Sequence, residues 1–121
     1  MKMTYHSDLY IAHITQNSIE YLKRDKWLQL DDLKQLVGKQ NERPYIECVY
    51  RRFINPVVTA VIDDCGAVSQ LPWIATLPWN THIYGDFVLC GFDRTPDGDM
   101  DLCSMPKEAL NDSVAQIKLV A

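Results

Sequence analysis

The sequence predicts an α+β fold: a mostly antiparallel β-sheet with one or two N-terminal helices and a short C-terminal helix. Three observations carry this. Helical spacing is confined to the first forty residues, the chain after Gly38 breaks into short β-rich runs, and Gly, Pro, Asn and Asp punctuate those runs at turn-like intervals, most densely from Cys65 to Met105. At 121 residues the chain makes a single domain over 1–121, with a core of its own.

The opening is ambiguous: residues 9–14 read as a strand, and residues 18–24 as a helix capped by Asn17. In residues 30–38, Leu33, Leu36 and Val37 repeat at helical spacing, Asp31 is placed to cap the start, and Gly38 is the natural stop. The runs 45–50, 57–62, 67–71, 83–92 and 100–103 are rich in β-branched and aromatic residues and read as strands. Asp63-Asp64-Cys65-Gly66 supplies a tight turn, which predicts a hairpin between 57–62 and 67–71. A second hairpin is expected at Thr95-Pro96-Asp97-Gly98, where proline fixes one turn position and glycine admits positive φ. Ser104-Met105-Pro106 reads as a cap and a proline opening a short helix.

Twelve Lys and Arg against sixteen Asp and Glu leave a net charge of −4, so the global positive field that drives duplex nucleic-acid binding is absent. A small anion needs only a few local donors and remains compatible with this balance. No run approaches the ~18 apolar residues of a membrane span, and Met1 to Asp8 is not followed by a signal-peptide core, so a cytoplasmic protein is expected. Cys48, Cys65, Cys90 and Cys103 form no Cys-x-x-Cys pair, and Cys48 and Cys90 lie in apolar runs as small core hydrophobes.

Catalytic patterns are poor. Asp93, Asp97, Asp99 and Asp101 lack the terminal glutamate of a calcium loop, whose twelfth position falls on Ser104, and His6, His13 and His82 have no zinc spacing. Cys90 or Cys103 with His82 makes a nucleophile only on paper, and no phosphate-cradling glycine loop is present. No enzyme, metal or cofactor is expected. The side chains that stand out are those of a binding surface.

The order Ile-Asp-Asp-Cys-Gly, Leu-Pro-Trp-Asn, Ile-Tyr-Gly-Asp-Phe and Asp-Gly-Asp-Met-Asp-Leu-Cys-Ser resembles a family of short phage and mobile-element proteins classed as a domain of unknown function (number 3846). Leu33 to Gly38 and Tyr45-Ile46-Glu47 look like that family's helix, glycine and strand opening, so the resemblance spans roughly 28–110. Thr81 departs from it, standing where such proteins often place an arginine after the asparagine. In length and layout the chain also looks like the Thoeris anti-defence sponges of the first type. That likeness implies a viral, homo-oligomeric, non-catalytic protein of the host cytosol that sequesters a cyclic nucleotide signal, of the cyclic ADP-ribose type or a cyclic oligonucleotide. The alternative is a viral protein that occupies a host defence or regulatory protein through the Trp73 and Trp79 region.

Sequestering a nucleotide takes aromatic faces for the base, amides for its edge and guanidinium forks for phosphate oxygens. Trp79 and Asn80 are adjacent in a proline-bounded corner, Trp73 lies six residues earlier, and Arg94 opens the second turn. Arg51 and Arg52 follow the 45–50 run, and strand geometry points neighbouring side chains to opposite faces, so one of them is expected at any given pocket. Each has an ordinary reading as well: core or interface packing for the tryptophans, a turn cap for Asn80, a solvated sheet edge for Arg51 and Arg52, and an ion pair within its own turn for Arg94.

Overall fold

The structure is a computed structural model that describes residues 8–38, 41 and 44–120. In these residues nine strands and two helices follow one another as β1 (Tyr10–Ile14), β2 (Ile19–Lys23), α1 (Leu30–Val37), β3 (Ile46–Val49), β4 (Val58–Asp63), β5 (Trp73–Leu77), β6 (Thr81–Tyr84), β7 (Phe87–Arg94), β8 (Met100–Cys103), α2 (Lys107–Val114) and β9 (Lys118–Leu119). The fold is α+β, with sheet dominating.

A large antiparallel sheet has the order β2-β1-β7-β4-β3, and β8 also pairs with β7. β7 shares one flank between two neighbours: Phe87 to Leu89 pair with β1, and Gly91 to Arg94 pair with β8. The changeover falls at Gly91, where an added Cβ would meet the Met105 sulfur at 2.7 Å. A small sheet, β6-β5-β9, lies apart from the first.

Alternation along the large sheet feeds two cores. Ala12, Ile14, Val58, Ala60, Phe87 and Leu89 face the small sheet and α2, packing with Ile74, Leu77, Ile83 and Leu110. Ile11, Val61, Val88 and Cys90 face the other way, onto Leu33 and Val37 of α1. The order of layers is helix, large sheet, then small sheet with α2. Each fully buried Phe, Leu, Ile or Val side chain contributes about 1.5–3 kcal/mol to this arrangement.

Several expectations are corrected. Residues 18–24 form strand β2 and not a helix: Ile19 to Lys23 pair in register with β1, and Ser18, the predicted first residue, instead bonds Thr15 across the turn. Asp31 does not cap α1, whose N-cap is Gln29 without a side-chain bond; Asp31 lies inside the first turn. Gly38 does end α1, but at φ −91°, and its necessity is steric, since a Cβ there would meet Pro44 at 2.5 Å. The hairpin between 57–62 and 67–71 does not form, because residues 64–70 are turns and β4 pairs with β3 and β7. The cause is Asp63, which is buried and accepts from Asn41, Tyr45 N and Cys65 N, coiling the chain back on itself.

The 83–92 run is two strands, broken at Gly85 with φ 82°. Strands β5 and β9 were not foreseen. The hairpin at Thr95 to Gly98 forms as expected, with Gly98 at φ 90°. α2 is the short C-terminal helix, although Ser104 does not cap it and donates instead to the Asp25 carbonyl at 2.8 Å. His6 lies outside the described residues.

Candidate functional site

The Leu-Pro-Trp-Asn corner is the tip of the β5–β6 hairpin. Trp79 and Asn80 both have left-handed backbone, with φ 67° and 56°. Successive positive φ values suit the twist of a tight hairpin, but asparagine tolerates them far better than tryptophan. The strained backbone holds the Trp79 ring 84% exposed. Beside it is an open cleft of about 300 Å³ lined by Thr76, Leu77, Pro78, Asn80, Gln116 and Lys118. The Asn80 amide and the Lys118 ammonium have no partner among the described residues. Gln116 is already committed, accepting from Ile54 N and donating to the Asp112 carbonyl.

Arg52 joins this corner from the loop after β3. Its Nε donates to Thr81 Oγ1 at 3.1 Å, so a guanidinium stands at residue 81 although 81 itself is a threonine. The corner therefore combines an aromatic face, an amide and the Lys118 ammonium, with Arg52 bonded to its neighbouring Thr81. No family model, curated protein or solved structure matches this chain. The reading of the corner rests on its geometry.

The remaining predicted residues do not converge there. Trp73 sits at the opposite end of the hairpin, paired with Tyr84; its Nε1 donates to the Ala75 carbonyl, and its ring meets His82 edge to face at 4.8 Å. Arg94 is spent on its own turn, with Nη1 donating to the Gly98 carbonyl at 3.2 Å. Arg51 points to the other side of the large sheet and lines a groove of about 560 Å³ with Cys48, Tyr50, Phe92, Met100, Asp101 and Leu102. Arg51 and Arg52 separate, but not by strand alternation: both lie beyond the end of β3 at Val49, and Arg51 has φ 58°.

Sequence reasoning missed Lys118 and, apart from Arg51, the binding role of the residues of that groove. The alternating run Ile117-Lys118-Leu119-Val120 was the available signal for β9. A further depression of about 600 Å³ near Lys23, Arg24 and Lys26 has its cations paired, with Asp8, Asp32 and Asp93 respectively.

Burial raises the Cys90 thiol far above its ordinary value and also raises Cys48 and Cys103. Such thiols stay protonated at neutral pH and make poor nucleophiles. Among the described residues no group of three or more His, Cys, Asp or Glu side chains is placed to hold a metal, and no helix is long and apolar enough to cross a membrane.

Proposed function

We propose that this protein is a non-catalytic binder that sequesters a nucleotide-derived signal, of the cyclic ADP-ribose type or a cyclic oligonucleotide, with the Trp79-Asn80 corner as its contact to the ligand. The observation that carries the reading is the Trp79 ring, held exposed on left-handed backbone beside an unpartnered amide and an unpartnered ammonium. Trp79 offers a stacking face, Asn80 reads a base edge, and Lys118 meets phosphate oxygens. A cleft of about 300 Å³ is at the small end for a dinucleotide-sized ligand, which fits completion of the pocket by a second copy of the chain. Viral anti-defence is the setting that the family resemblance implies.

The test is thermal shift against a panel of cyclic nucleotides, followed by heat release and chromatography of the ligand. Intact recovery supports sequestration, and an altered product overturns it. Trp79→Ala is expected to weaken binding roughly tenfold to a hundredfold, the value of one stacked base. Gel filtration should give a mass above that of one chain.

The exposure of Trp79 also favours a second reading, an inhibitor that anchors this ring in a host protein. A host-protein complex abolished by Trp79→Ala, with no nucleotide shift, selects it.

A further inference from the structure

α1 covers only part of its face of the large sheet. Beyond it, Cys48 and Tyr50 from the end of β3 and its following residue, Phe92 from β7, and Met100 and Leu102 from β8 floor the groove, with Arg51 and Asp101 completing its lining. Tyr50 and Phe92 meet edge to face at 5.3 Å, forming an aromatic wall, and Met100, about half exposed, lines the same groove. Methionine is the apolar side chain that best adapts to a flat ring.

Arg51 has φ 58°, a conformation that an arginine adopts only under constraint from its surroundings. The constraint is visible: Arg52 donates through Nη1 to the Tyr50 carbonyl and through Nε to Thr81, pinning the chain on both sides of residue 51. Arg51 lines the groove, and its guanidinium has no hydrogen-bond or ion-pair partner among the described residues. Asp101 carries the one opposing charge; one of its oxygens accepts from Leu102 N.

We propose that this groove is a second small-molecule site, taking a planar aromatic monocarboxylate with a hydrogen-bond donor at its far end. The aromatic wall and Met100 hold the ring, the Arg51 fork takes the carboxylate in two parallel bonds, and Asp101 accepts from the distal donor. A polyphosphate is rejected, because it would bring several negative charges to a groove with one guanidinium and a carboxylate. This chemistry differs from that of the Trp79 corner, and the two sites fail or stand independently.

The probe is p-hydroxyphenylacetate, titrated calorimetrically into the full chain, with p-hydroxyphenylacetamide and phenylacetate as comparators. Saturable binding at one site is expected, weakened about tenfold to a hundredfold in the neutral amide, the cost of losing a charge-assisted pair. Removal of the phenolic hydroxyl should weaken it less. Arg51→Gly suits the left-handed backbone and should fold while losing affinity to the same degree as the amide; Arg51→Asn, the other residue at ease there, should repeat the loss. Trp79→Ala should leave the titration unchanged. The proposal is overturned by absence of saturable binding to the wild-type chain, by either Arg51 variant binding as wild type does, or by loss of binding in Trp79→Ala.

Discussion

A Cβ at residue 66 would lie 2.5 Å from the backbone oxygen of Tyr84, whereas one at residue 91 would lie 2.7 Å from the side-chain sulfur of Met105. Backbone cannot yield and a methionine can, so Gly66→Ala is expected near the top of the about 1–3 kcal/mol range for overpacking and Gly91→Ala near the bottom. Urea midpoints of the two variants check the order. Asp63 is a second pivotal residue, since its carboxylate answers Tyr45 N, Cys65 N and the Asn41 amide. Asp63→Ala strands the Tyr45 and Cys65 amides and should cost about 2 kcal/mol or more, read by the same denaturation. The turn itself was legible in Asp63-Asp64-Cys65-Gly66, because those residue types favour turns locally. That Asp63 serves donors about twenty positions upstream was not, because such bonds exist only once β3 and β4 have paired. Trp79 and Asn80 were legible as a polar-aromatic corner, but nothing local marks a tryptophan for positive φ.

At the level of elements, β2 shows why a cap-like start misleads. Asn17 and Ser18 resemble the opening of a helix, yet Ile19, Tyr21 and Leu22 find apolar partners only on the pleat beside β1. α1 was legible because its apolar spacing is internal to the helix. What ties it to the sheet was not: His13 of β1 bonds through Nε2 to the Leu36 carbonyl at 2.9 Å. His13→Ala should cost about 1 kcal/mol and speed amide exchange in the last turn of α1.

Edge strand β3 carries a pH signature. The charge of Asp64, then a hydrogen bond with it, raises the Glu47 carboxyl above its ordinary value. A carboxyl raised in the folded state contributes stability below its unfolded pKa, and that contribution is lost as pH rises through the folded value. Glu47→Gln should therefore raise the melting temperature at neutral pH and leave it unchanged below the carboxylate range. Equal melting temperatures at neutral pH would refute the repulsion.

For the whole molecule, the layered arrangement makes β7 common to both cores, with Phe87 and Leu89 on one side and Val88 and Cys90 on the other. Phe87 is fully buried, and Phe87→Ala is expected to cost about 3–5 kcal/mol, with both cores melting in one transition seen identically by far-UV dichroism and tryptophan fluorescence. The groove of Tyr50, Phe92 and Met100 belongs to this scale too. Its residues come from three regions of sequence that only the sheet order brings together, which is why Arg51 was legible as a candidate and its surroundings were not.

The shared flank of β7 also sets a timetable. β1 is made first but pairs with β7, so during synthesis the β1–β2 hairpin waits, as an isolated two-stranded unit of marginal stability, until residues 87–89 have emerged. The central strand starts at Phe87, 77 residues after β1 starts at Tyr10, so the waiting hairpin is open to chaperones over that interval of synthesis.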